Sequence, residues 1–124
     1  MKLRIKDNTL RIRLNQDEVA RLAAGEAVGQ TTAFAPGQRL ATRVVPENRP
    51  AIAVTFDGGA IDVRVPAPTV AAWAGSEEVA ITAEQRVDAG NVLQVLIEKD
   101  FECLHPGQES DPNSYPHPGK AASS

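Results

Sequence analysis

The alternation of apolar and polar residues at the start of the chain predicts a β-hairpin. Residues 1–6 alternate apolar and basic side chains, and residues 9–14 resume the alternation after the pair Asp7-Asn8. Strict alternation is the period of a half-buried strand, and a two-residue polar link is typical of a hairpin turn. Residues 52–65 repeat the arrangement around a Gly-Gly turn. The pattern therefore predicts two hairpins.

A short helix is predicted after each hairpin. The first is expected to begin after Asn15, because Glu18 follows three residues later and the two side chains can form a capping box. The second has Pro68 in its first turn, where the missing N–H costs nothing. Leu22 and Trp73 lie on the apolar stripes of these helices, so we expect them to be equivalent anchors of the core.

The order of predicted elements indicates an α+β fold made of two related halves. The hydrophobic positions of residues 1–28 recur 51 positions later, which suggests a β-β-α-β-β unit in 1–50 and again in 52–103. The two further strands expected in each half span residues 31–34, 39–45, 79–83 and 92–104. We expect the halves to be related by a pseudo-twofold axis within a single domain, 1–104, as one compact curved sheet or half-open barrel with two helices. Residues 105–124 are rich in Pro, Gly and Ser, which is typical of a tail.

Length and composition indicate the class of protein and its cellular location. A length of 124 residues and a hydrophobic fraction of 42% suit one globular domain, and no apolar run is long enough to cross a bilayer. The alternating N-terminus lacks the continuous apolar stretch of a signal peptide, and one cysteine cannot form an internal disulfide. We therefore expect a bacterial cytoplasmic protein that has no membrane contact and needs no cofactor.

The chain has a net charge of −3, but its N-terminal residues are basic. Alternation places five cations of the first hairpin on one outer face, namely Lys2, Arg4, Lys6, Arg11 and Arg13. Such a face could bind a small anion. The simpler interpretation is a solvated face whose charges are paired with Glu98, Asp100 and Glu102 of the last strand. No aromatic residues interleave with the cations and the chain is acidic overall, so nucleic acid is disfavoured as a partner.

A second cluster of reactive side chains lies near the C-terminus. Cys103, His105, Asp111 and His117 could together hold a metal ion, since zinc takes about four such ligands. Cys103 could alternatively act as a nucleophile with His105 as its base. The segment lacks the paired Cys or His spacing of known zinc sites and an oxyanion-binding loop. The simpler interpretation is a polar tail beside a structural cysteine.

Three groups of residues resemble those of an uncharacterised family of short bacterial proteins, a domain of unknown function. These are MKLRIK with LRIRL at residues 1–14, EKDFECL at 98–104, and SDPNSYPHP at 110–118. The resemblance covers residues 1–118, and it implies no activity, ligand or catalytic residue.

Three functions remain open from the sequence. We favour a non-enzymatic interaction or regulatory module, with a protein partner or self-association through an exposed sheet edge. A binder of a small anionic ligand through the basic hairpin is the second. The third is a metal- or thiol-dependent enzyme that uses the Cys/His cluster.

Overall fold

The computed structural model describes residues 1–100, which form eight strands and two helices. Each half contains two strands, a helix and two strands, so the expected α+β class is confirmed. In chain order the elements are β1 (Lys2–Lys6), β2 (Thr9–Leu14), α1 (Gln16–Ala23), β3 (Val28–Ala35), β4 (Gln38–Glu47), β5 (Ala53–Asp57), β6 (Ala60–Pro66), α2 (Ala67–Ala74), β7 (Ala80–Asp88) and β8 (Asn91–Lys99).

The turn and cap residues form the local structures that the sequence predicts. Asp7 takes a φ of 50° in the first hairpin turn, a left-handed conformation that Asp tolerates better than most residues. At the start of α1, the Asn15 side chain accepts a hydrogen bond from the Glu18 N–H, and the Glu18 carboxylate accepts one from the Asn15 N–H. This capping box satisfies two backbone donors at once. Pro68 lies in the first turn of α2.

Some strands differ from the predicted bounds. β3 begins at Val28 and β7 continues to Asp88, because each pairs along its length with the following strand even where its side chains are exposed and polar. β8 ends at Lys99. Asp100, the last described residue, donates its N–H to the carbonyl of Leu14 at 2.8 Å. The rest of the predicted last strand lies outside the described residues.

The strands form two four-stranded sheets, ordered β1-β2-β8-β7 and β3-β4-β6-β5, in place of one curved sheet or a half-open barrel. Each sheet joins the hairpin that begins one half to the hairpin that ends the other. The central pairs β2–β8 and β4–β6 are parallel, and the outer pairs are antiparallel. Alternation along a strand shows which face is buried but not which strand lies beside it, so the sequence did not separate these arrangements.

The last two strands of each half do not keep the spacing of 51 residues that the hydrophobic pattern predicts. Val28 pairs with Val44, and Ile81 pairs with Ile97, so these strands correspond at a spacing of 53. The first hairpins keep the spacing of 51. Val79, which lies 51 positions after Val28 and was expected to match it, is 49% exposed. The chain therefore gains two residues between the second helix and its following strand.

One hydrophobic core joins both sheets and both helices. Leu22 and Trp73 are each 1% exposed, which confirms them as core residues. The C-terminal ends of β2 and β6 lead into α1 and α2, and β8 and β4 run parallel to β2 and β6. The hairpin turns therefore lie at the opposite end of each sheet from the helices. Within residues 1–100, neither helix has the length and apolarity needed to traverse a lipid bilayer.

Candidate functional site

The first hairpin brings its five cations onto one face. Lys2 lies opposite Arg13, Arg4 lies opposite Arg11, and Lys6 lies opposite Thr9. The other face of β2 is buried in the core and carries Leu10, Ile12 and Leu14. Since paired residues of neighbouring strands point to the same side, all five cations occupy the outer face of the sheet.

Three of these cations have acidic partners. The Lys2 ammonium lies 3.0 Å from Oδ2 of Asp100. Arg13 donates from Nε to Oε1 of Glu98 at 3.2 Å, and Nε of Arg11 lies 3.5 Å from the same oxygen. The expected pairing of the basic face with acidic residues near the end of β8 is therefore present for Glu98 and Asp100.

Strand register explains why the other two cations lack such partners among residues 1–100. β8 lies beside β2 and runs parallel to it, and its described acidic residues lie at and just after its C-terminal end, near Lys2 and Arg13. Arg4 and Lys6 lie in register, through Arg11 and Thr9 of β2, with the uncharged residues Leu96 and Gln94 of β8. Within residues 1–100, Arg4 and Lys6 form no ion pair and no side-chain hydrogen bond. The single carboxylate of Glu98 is shared by Arg11 and Arg13, so the outer face of the hairpin keeps an excess of positive charge within the described residues.

The unpaired cations surround a depression of about 430 Å³ at the turn end of the hairpin, which we call the hairpin pocket. Its lining residues are Arg4, Lys6, Asp7, Thr9 and Arg11. Nε of Arg11 is buried and makes no hydrogen bond in the described part of the chain. Arginine and lysine donate charge-assisted hydrogen bonds to carboxylates and phosphates, so the hairpin pocket is chemically suited to an anion.

The other sheet shows that the fold does not require cations at this place. Thr55 and Asp62 are paired in the second hairpin where Arg4 and Arg11 are paired in the first. Asp62 accepts two hydrogen bonds from Arg43, from Nε at 2.9 Å and from Nη2 at 3.0 Å. These hydrogen bonds hold the pKa of the Asp62 carboxyl below its ordinary value, although burial acts in the opposite direction. At these matched positions, the second sheet pairs an acidic residue with an arginine, whereas the first sheet places Arg4 opposite Arg11.

A larger groove of about 510 Å³ lies between the two helices. Its lining residues are Leu14, Gln16, Val19, Ala20, Ala23, Ala71, Ala74, Gly75, Lys99 and Asp100. The Lys99 ammonium donates to the carbonyl of Ser76 at 2.7 Å, and Asp100 is paired with Lys2, although its Oδ1 is buried without a hydrogen bond. The two charged side chains of this groove therefore already contact other groups of the protein, and few polar groups remain to orient a ligand.

The predicted metal or thiol site lies outside the described residues. This applies to Cys103, His105, Asp111 and His117, and also to Glu102, the third expected partner of the basic face. In residues 1–100, no three or more His, Cys, Asp or Glu side chains are grouped so that they could hold a metal ion. The Cys/His site therefore stays a prediction.

The structure adds two residues to the predicted anion site and separates two from its pocket. Thr9 and Asp7 line the hairpin pocket, whereas Lys2 and Arg13 lie along the strands toward the helices and are held in ion pairs. The polar residues at the hairpin turn were visible in the sequence. Their closeness to the cations follows from the hairpin register.

Comparison with known proteins gives a family for the chain and no activity. No curated protein and no solved structure matches it. The model of a family of unknown function, DUF7009, matches residues 1–119, and the chain therefore belongs to that family.

Proposed function

We propose that this protein is a non-enzymatic binding module that recognises an anionic group of its partner through the hairpin pocket. The observation that carries the proposal is the absence, within residues 1–100, of an acidic partner for Arg4 and Lys6, which lie beside Arg11 in one depression. Like charges directly opposite each other on neighbouring strands destabilise a sheet. An anion bound between them would remove that repulsion.

The residue types of the hairpin pocket favour a compact anion such as a carboxylate or a phosphate. The Arg4 guanidinium can donate two parallel hydrogen bonds to two oxygens of the same group. The Lys6 ammonium and the Thr9 hydroxyl supply further donors. Asp7 lowers the positive charge of the pocket, and the chain has a net charge of −3, both of which disfavour a long polyanion such as nucleic acid.

The proposal places the module in the bacterial cytoplasm, as the single cysteine suggests. Its domain remains proposed as residues 1–104 with two repeated halves, followed by a tail. Neither catalysis nor a cofactor is part of the proposal, because the hairpin pocket holds no nucleophile activated by a neighbouring base.

The direct test is a titration of the ¹⁵N-labelled full chain with inorganic pyrophosphate, followed by amide chemical shifts. We expect saturable shifts at residues 4–11. The double variant Arg4→Ala/Lys6→Ala should bind at least about tenfold more weakly, the equivalent of about 1.4 kcal/mol. Arg39→Ala is the matched control, because Arg39 is an exposed strand arginine of the other sheet.

Two results would contradict the proposal. One is the lack of saturable shifts at residues 4–11 in the wild-type chain. The other is equal affinity in the wild type and in the double variant, since this would show that pyrophosphate binds elsewhere.

A further inference from the structure

One edge of the second sheet is partly covered by a side chain of the first. The amide of Gln85, on β7, accepts a hydrogen bond from the Val54 N–H at 2.7 Å and donates one to the Val54 carbonyl at 2.9 Å. Val54 lies on the edge strand β5. A bidentate amide thus satisfies the backbone groups of Val54 that an additional strand would otherwise bind.

Among the described residues, no side chain makes a hydrogen bond to the equivalent edge of the first sheet. Lys6 and Thr9 flank the two-residue turn and form the closing pair of the hairpin, so hydrogen-bonded pairs alternate from there along β1. The backbone N–H and carbonyl groups of Leu3 and Ile5 consequently point away from β2. Thr32 of β3 occupies the position equivalent to Gln85, and among the described residues it makes no hydrogen bond to β1.

We infer that this edge of β1 binds an extended segment of a partner protein by antiparallel strand addition, and that this segment alternates acidic and apolar residues. The inference rests on the proposed function and names the partner's chemistry. Strand addition supplies affinity through backbone hydrogen bonds and specificity through alternate side chains. Here those hydrogen bonds would form at Leu3 and Ile5.

The two faces of β1 determine the side chains of the partner. On the outer face, residues of the added strand opposite Lys2, Arg4 and Lys6 would meet cations, which favours Asp or Glu. On the inner face, Ile5 is 58% exposed and Leu3 is half-buried against the core. An apolar side chain opposite each would cover this surface.

The same charges act against self-association through this edge. A second copy of β1 would place cations opposite cations, which is a common protection of edge strands. A partner strand with acidic residues is then selected both by attraction and by the exclusion of copies of the same strand. The edge strands β3 and β7 carry no comparable run of one charge sign.

The experiment uses a capped six-residue peptide in which Val alternates with Glu, titrated into the full chain and measured by calorimetry. In an antiparallel addition, the Val residues lie opposite Leu3 and Ile5 and exchange backbone hydrogen bonds with them. N-methylation of the Val nitrogens should therefore weaken binding at least about tenfold, whereas N-methylation of the Glu nitrogens should change it by less than about twofold. Replacing every Glu with Lys should abolish binding.

The outcomes separate the two proposals. Equal affinities of the two N-methylated peptides would overturn strand addition, as would a peptide that does not bind while pyrophosphate does, and in both cases the hairpin pocket remains a binding site. If neither the peptide nor pyrophosphate binds, the proposed function fails together with this inference.

Discussion

Replacing Arg4 with Thr should stabilise the protein while weakening its binding of anions. Thr is the residue that the second hairpin carries at the matched position, Thr55. The substitution removes a cation that lies opposite Arg11 and has no acidic partner among residues 1–100. It also introduces a residue with a high β-propensity at an exposed strand position.

The expected gain follows from the cross-strand geometry. Charge pairs directly opposite each other on neighbouring strands change stability by about 0.2–1 kcal/mol, with a negative sign for like charges. Arg4→Thr should therefore raise the free energy of unfolding by about 0.2–1 kcal/mol at low ionic strength. The gain should shrink in about 1 M salt, where the Debye length is about 3 Å.

Urea unfolding of the wild type and of Arg4→Thr, at low and high salt, measures this difference. Arg39→Thr serves as the control and should stay within about 0.5 kcal/mol of the wild type, as most surface substitutions do. A loss of stability of more than about 0.5 kcal/mol in Arg4→Thr would refute the reasoning, because it would show that Arg4 supports the fold.

Three further predictions concern the scaffold. Gln85→Ala removes two hydrogen bonds to Val54 and should lower the free energy of unfolding in urea by about 1–3 kcal/mol, and an unchanged value would mean that water replaces the amide at no cost. The hydrogen bonds from Arg43 lower the pKa of the Asp62 carboxyl below its ordinary value of 3.8. The ionised carboxylate therefore stabilises the fold at pH values above 3.8, and this contribution is lost as the pH falls through the lower pKa of the folded state. Asp62→Asn should thus show a smaller stability difference between neutral and strongly acidic pH than the wild type, and an equal difference would contradict this. Trp73→Ala should cost about 3–5 kcal/mol by thermal or urea unfolding, since the indole is 1% exposed, and a loss below about 1 kcal/mol would show that it is not a core anchor.

Local signals in the sequence predicted the two hairpins that begin the halves, the helices, and the buried face of those hairpins. The capping box at Asn15 and the alternation around Asp7 depend only on residues that are close in the chain. The burial of Leu22 and Trp73 followed from helical stripes of apolar residues. These features are determined by short-range geometry, so one sequence is enough to derive them.

Strand partners could not be derived in the same way. The pairing of β2 with β8 joins residues that lie more than eighty positions apart, and many arrangements bury the same hydrophobic faces. The state of each cation depends on this pairing. Glu98 reaches Arg13 because the two are in register on neighbouring strands, and the same register places Leu96, not an acidic residue, in line with Arg4 and Arg11. The sequence thus predicted a basic face, and the structure showed which of its cations form no ion pair within residues 1–100.

The most direct test of the hairpin pocket is thermal unfolding of the full chain in pyrophosphate and in sodium chloride at matched ionic strength. An anion that binds only the native state raises the unfolding temperature by mass action, whereas screening alone acts equally in both salts. We predict a higher unfolding temperature in pyrophosphate for the wild type and equal temperatures for Arg4→Ala/Lys6→Ala. Equal temperatures in the wild type, or the same increase in the double variant, would contradict the hairpin pocket as an anion site.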